Sequence, residues 1–186
     1  MNETDNFTDL IQASLANFTQ KIEEISSQQF NEMRKCSFFD SVSSECLAEI
    51  AKICEIKKLP AGKHITTEGD KMDAFHVLMY GTATVTVHNK VVGVIHSGEC
   101  IGEGTFFGNE IFKRSATVIT DGEAIVLEIR KTEVDKMDGE IKKSMDRALL
   151  QSLFKKLQAA NKKIEELQHE KNDSSEVSWN IIKTGS

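Results

Sequence analysis

Three hydrophobic periodicities follow one another along the chain. In the first zone, Ile11, Leu15, Phe18, Ile22 and Ile25 recur at spacings of 4, 3, 4 and 3. That is one apolar stripe of an amphipathic helix over residues 7–25. A second helical stretch is predicted over residues 43–53, with Ser43 or Ser44 as cap and Glu45 in its first turn. The pattern then changes to short β-rich runs at 57–59, 64–66, 75–79, 83–87, 91–95, 116–119 and 124–129. Turn residues separate them, among them Pro60-Ala61-Gly62, Glu68-Gly69-Asp70, Tyr80-Gly81, His88-Asn89-Lys90 and Asp121-Gly122. Short strands at regular spacing, with almost no helix between them, predict an antiparallel barrel or roll.

The third zone returns to helix. Thr132 can cap a short helix with Glu133 in its first turn, Gly139 interrupts, and a long helical segment follows. Within it Leu150, Leu153, Leu157, Ala160, Ile164 and Leu167 repeat at 3, 4, 3, 4 and 3, a heptad seam of about three repeats. Such a seam serves either a dimer or one helix packed on its own domain. The expected division is an N-terminal helix over 1–29, a β domain with its helices over 30–147, a coiled-coil-like helix over 148–171 and a flexible polar tail over 172–186.

Charge narrows what this fold can do. With 23 basic and 29 acidic side chains among 186 residues the net charge is −6, which disfavours nucleic-acid binding by a basic face. An anion must therefore be captured locally. No stretch approaches the roughly 20 apolar residues of a membrane helix, and the start of the chain, Met1-Asn2-Glu3-Thr4-Asp5, is acidic where a secretory signal is basic. A cytoplasmic protein is expected. Cys36, Cys46, Cys54 and Cys100 form no CxxC pair and have no His at zinc-like spacing, so no metal site is expected. No nucleophile-and-base cluster suggests catalysis, and the chain is read as a non-enzyme.

One segment has a different texture. Residues 98–117 carry four glycines in their first eleven positions (Gly98, Gly102, Gly104, Gly108), followed by Lys113-Arg114-Ser115-Ala116-Thr117. Glycines let an anion approach backbone amides closely. A short helix starting at Gly104 would aim free N–H groups at a phosphate. Arg114 can pair with a phosphodiester in bidentate fashion, and Glu103 can accept from a sugar hydroxyl. The segment is neither a GxxxxGK[ST] loop nor a GxGxxG after a strand, so triphosphate and dinucleotide sites lack support.

Gly62, Gly69-Asp70, Gly81, Gly98, Ile101-Gly102-Glu103 and Arg114-Ser115-Ala116-Thr117-Val118 together resemble the cyclic nucleotide-binding domain, over about residues 30–160. The resemblance implies an α+β, mainly β fold: an eight-stranded antiparallel, jelly-roll-like β-roll with a flanking N-terminal helix and a long C-terminal helix. It implies that Glu103 holds the ribose 2′-hydroxyl and Arg114 the cyclic phosphate. Gly102, Gly104 and Thr105 would add backbone contacts, and Ser115 a hydroxyl to the phosphate or the base edge. Val85 and Val92 would face the roll interior as an apolar wall. Leu150, Phe154 or Asn161 of the long helix would reach the base.

Two features depart from the family's commonest form. The interval from Glu103 to Arg114 is longer, with residues 109–112 bulging before the arginine, and Lys113 stands where kinase-type domains usually have proline. The implied ligand is cAMP ahead of cGMP. Its implied role is a stand-alone sensor or regulatory subunit whose C-terminal helices move on binding, with a homodimer through the long helix and a further protein as partners. The competing reading is a scaffold that keeps the roll, has lost the ligand and acts through its helical arms.

Overall fold

The structure, a computed structural model, describes residues 27–71, 73–106 and 113–183, with side chains of the last helix through Gln168. The amphipathic helix predicted over 7–25 and the bulge predicted at 109–112 lie outside the described residues. Residues 27–33 are helical, and a 3-10 turn follows at Ser37–Phe39. Helix α1 is Ser44–Ile53, capped by Ser43, whose hydroxyl accepts from the Cys46 N–H at 3.3 Å.

Eight strands follow: β1 Glu55–Leu59, β2 His64–Thr66, β3 Ala74–Tyr80, β4 Thr82–Val87, β5 Lys90–His96, β6 Cys100–Ile101, β7 Thr117–Thr120 and β8 Ala124–Arg130. They form two four-stranded antiparallel sheets, in the orders β1-β8-β3-β6 and β2-β7-β4-β5. The periodicity of the sequence locates seven of these strands. It misses β6, whose two residues are too few to alternate.

Helix α2 covers Lys131–Val134 and α3 covers Gly139–Lys183. Two expectations are corrected here. Thr132 is not a cap: α2 begins one residue earlier, directly off the end of β8, with Arg130 at the N-cap position and no side-chain cap bond. Gly139 does not interrupt a helix but opens one, because the Asp138 carboxylate accepts from the Glu140 N–H at 2.8 Å and supplies the cap. The helix also continues to Lys183, past the tail expected from Asn172 onward. The chain divides into two units after Leu149.

Two apolar clusters hold the first unit together. One face of β3 and β8, through Phe75, Val77, Leu127 and Ile129, packs with Met33, Phe38, Phe39, Leu47, Ile50, Val134, Met145 and Leu149 from the helices. The opposite face, through Leu78, Ala124 and Val126, meets Ala83, Ile101 and Val118 inside the roll. With both faces covered, β3 reads as the nearly continuous run Ala-Phe-His-Val-Leu-Met rather than an alternating one. At the corner between β3 and β4, Gly81 has φ +95°, and a Cβ there would sit 2.8 Å from the Glu123 carbonyl oxygen, so only glycine fits.

Candidate ligand-binding site

Arg114 enters the site from a backbone clamp. Its N–H donates to the Asp70 carbonyl at 2.8 Å, and its carbonyl accepts from the Gly69 N–H at 2.8 Å. Just beyond, the Thr66 hydroxyl donates to the Ala116 carbonyl at 3.3 Å, and the Glu68 N–H donates to the Thr117 hydroxyl at 2.9 Å. The turn Glu68-Gly69-Asp70, which the sequence marks only as a turn, is therefore what fixes the register of the arginine.

The side chain of Arg114 is 7% exposed. Its Nη2 donates to the Ala74 carbonyl at 2.6 Å, while Nη1 is buried with no hydrogen-bond partner among the described residues. Gly102, with φ +79°, lies against the guanidinium, and a Cβ added there would overlap Nη1. A glycine is needed twice over, for the backbone angle and for the close approach. Burial pulls the guanidinium below its ordinary pKa, opposed by the charges of Asp73, Asp70 and Glu128. A guanidinium stays charged under such shifts, so it remains a buried cation with an N–H to offer.

Glu103 opens a 3-10 turn at Glu103–Phe106 and is also 7% exposed. The short helix expected from Gly104 thus exists, one residue earlier and in the tighter 3-10 form. Gly104 is exposed, and the Thr105 side chain lies outside what is described. The structure brings Gly102 and Arg114 into contact and buries Glu103 in the next residue. Ser115 is exposed.

Val85 is half-buried and packs on the cluster inside the roll, as expected. Val92 is not an interior residue; this is a correction. It is 62% exposed, because Val85 pairs with Gly93 and Thr86 with Val91, leaving Val92 as the extra residue of a β-bulge. Leu150, Phe154 and Asn161 lie in the second unit on α3, all exposed. A separate cleft of about 580 Å³, lined by Lys35, Ile56, Lys58, Met79, Tyr80 and Ile125 among others, contains none of the anticipated residues.

A polar row that sequence reasoning missed runs beside the arginine. Glu128 on β8 accepts from Lys57 Nζ at 2.6 Å and from Arg130 Nε at 3.1 Å, and lies 3.3 Å from His76 Nε2. Burial pushes the Glu128 carboxyl up, but the hydrogen bonds from Lys57 and Arg130 outweigh it and hold the group down to about 2. The one signal in the sequence is a histidine and a glutamate, each interrupting an otherwise apolar strand.

The described residues thus form a mainly antiparallel roll in which Glu103 and Arg114 are both buried, with Gly102 against the guanidinium. Residues 56–138 match the family model of the cyclic nucleotide-binding domain. Curated relatives include the cGMP-dependent protein kinase of Eimeria tenella, 26% identical over 137 residues, and that of Plasmodium berghei, 34% identical over 108 residues. These alignments cover 72% and 55% of this chain but only 14% and 12% of the kinases. Among solved structures, a cAMP-bound PfPKA-R fragment superposes with a TM-score of 0.58 at 19% identity, over 73% of this chain and 48% of that one. At that identity the likeness is one of fold.

Proposed function

We propose that this domain binds a 3′,5′-cyclic purine nucleotide and works as a cytoplasmic sensor with no chemistry of its own. The observation that carries this is Arg114, a buried cation with an unpartnered Nη1 pressed against Gly102. In a chain of net charge −6 such a group does not attract polyanions in bulk, but it suits a small ring with a single negative charge. Glu103 accepts the one hydroxyl that a 3′,5′-cyclic phosphate leaves free on the ribose. Support for the base comes from two directions, since PfPKA-R is described as cAMP-bound and the curated kinases are named for cGMP. The first ligand to test is cAMP, with cGMP as competitor.

The second unit supports a partner role. Leu150, Phe154, Leu157, Ile164 and Leu167 are each more than half exposed on α3, and four of them lie on the heptad seam. In the proposed mechanism the seam joins two copies, and the nucleotide acts by binding one arrangement of the helices better than the other. Calorimetry with cAMP, cGMP and cyclic di-GMP, with sedimentation equilibrium on the same samples, tests both parts. One of the mononucleotides should bind a dimer. Arg114→Ala should weaken binding by about 10- to 150-fold, the equivalent of one charge-assisted hydrogen bond of about 1.5–3 kcal/mol. Failure of all three to bind overturns the reading.

A further inference from the structure

His76 is a buried ionisable side chain that the proposed binding mode does not use. It is 7% exposed on β3, paired directly with Glu128 on β8 and with Ile101 on β6. Its Nε2 faces the Glu128 carboxylate at 3.3 Å, which favours the tautomer protonated at Nε2. Its Nδ1 is buried with no partner among the described residues, leaving one position at which a proton can add. The guanidinium of Arg114 is bonded to the carbonyl of Ala74, two residues along the same strand, or about 7 Å at the usual strand rise. On the other side it touches Gly102, the neighbour of Ile101.

The charges around His76 come from every neighbouring element. Beside Glu128 stand Lys57 on β1, itself 3.7 Å from Glu55, and Arg130 on the same carboxylate. Arg114 faces it from the approach to β7, with Asp70 and Asp73 beyond the guanidinium, while Cys100 and Glu103 flank Ile101 and Gly102. Burial first and the Arg114 charge second pull the imidazole below its ordinary pKa, against the pull of Glu128. Glu128 stays ionised across the physiological range, so it does not itself take up a proton there.

We propose that His76 couples the anion site to pH: a bound cyclic phosphate screens the charge of Arg114, His76 gains a proton, and the nucleotide binds more tightly as pH falls. This rests on the reading of Arg114 as the phosphate-binding residue. The sign follows from linkage, since a group whose pKa rises on binding takes up protons with the ligand. Affinity is highest where His76 is protonated in both states and lowest where it is neutral in both, with about a tenfold change for each unit of rise. Tautomer and charge at this one ring would thus tune a site whose direct contacts lie on other residues.

The test is calorimetry with cAMP and with cGMP from about pH 5.5 to about pH 8, in buffers of different ionisation enthalpy. The intact chain should take up part of a proton per nucleotide. His76→Gln should still bind but lose both the uptake and the pH slope. Uptake that persists in His76→Gln, or binding without uptake in the unaltered chain, overturns the proposal and leaves the reading of Arg114 standing. No binding of either nucleotide at any pH overturns that reading and the proposal with it. Should the variant not fold, an NMR titration of the imidazoles in the unaltered chain, with and without cAMP, decides the matter. One buried ring must shift upward on binding, and an unmoved ring overturns the proposal.

Discussion

The two sheets of the roll have equal numbers of strands and opposite relations to solvent. In β1-β8-β3-β6, strands β3 and β8 are covered on both faces, one by the helical cluster and one by the roll interior. In β2-β7-β4-β5, the edge strand β5 exposes Val91, Val92 and Val94. The difference shows where a polar residue acquires consequence. A charge on β5 is solvated and contributes little. The same charge on β3 or β8 must find partners, and His76 and Glu128 do so with Lys57, Arg130 and the field of Arg114. The doubly covered sheet therefore carries the buried apolar strands and the polar row that lies beside Arg114.

Substitutions on the two sheets test this contrast. Phe75→Ala, at a fully buried position of β3 touching Phe38 at a ring-centroid distance of 6.0 Å, should destabilise the fold by about 3–5 kcal/mol in urea titration. A loss below about 1 kcal/mol would show that the helical cluster does not seal that face. Next in size is the acid limb. Glu128 is held down to about 2, so its contribution is complete above the ordinary carboxylate value and is lost as pH falls from there toward 2. The melting temperature of the unaltered chain should fall as pH drops through that window, and that of Glu128→Gln should fall less. Val92→Thr, at the exposed bulge of the other sheet, should change stability by no more than about 0.5 kcal/mol. A larger effect would mean that Val92 packs against something.

Much of this was legible along the chain. Short runs such as Ala124 to Ile129, preceded by Asp121-Gly122, announce strands because side chains alternate or cluster with the burial of each face. Glu103, inside the glycine-rich stretch, and Arg114, after it, are the charged residues that the sequence singles out, and both are buried. What misled was local reasoning about side-chain direction. Alternation along β5 put Val92 inside the roll, and one inserted residue between Val91 and Gly93 undid it. Thr132 looked like a cap, but β8 hands the backbone directly to α2 one residue earlier.

The class of fold, most strand positions, the glycine-rich segment and its two charged residues are readable along the chain, since each depends on neighbours within a few positions. Which groups meet is a property of the folded chain alone. Arg114 reaches the carbonyl of Ala74 across 40 residues, and Glu128 collects His76 and Lys57 across 52 and 71. Those encounters depend on strand order and register, which are set by how two sheets bury their apolar faces together. No periodicity within a single strand encodes them.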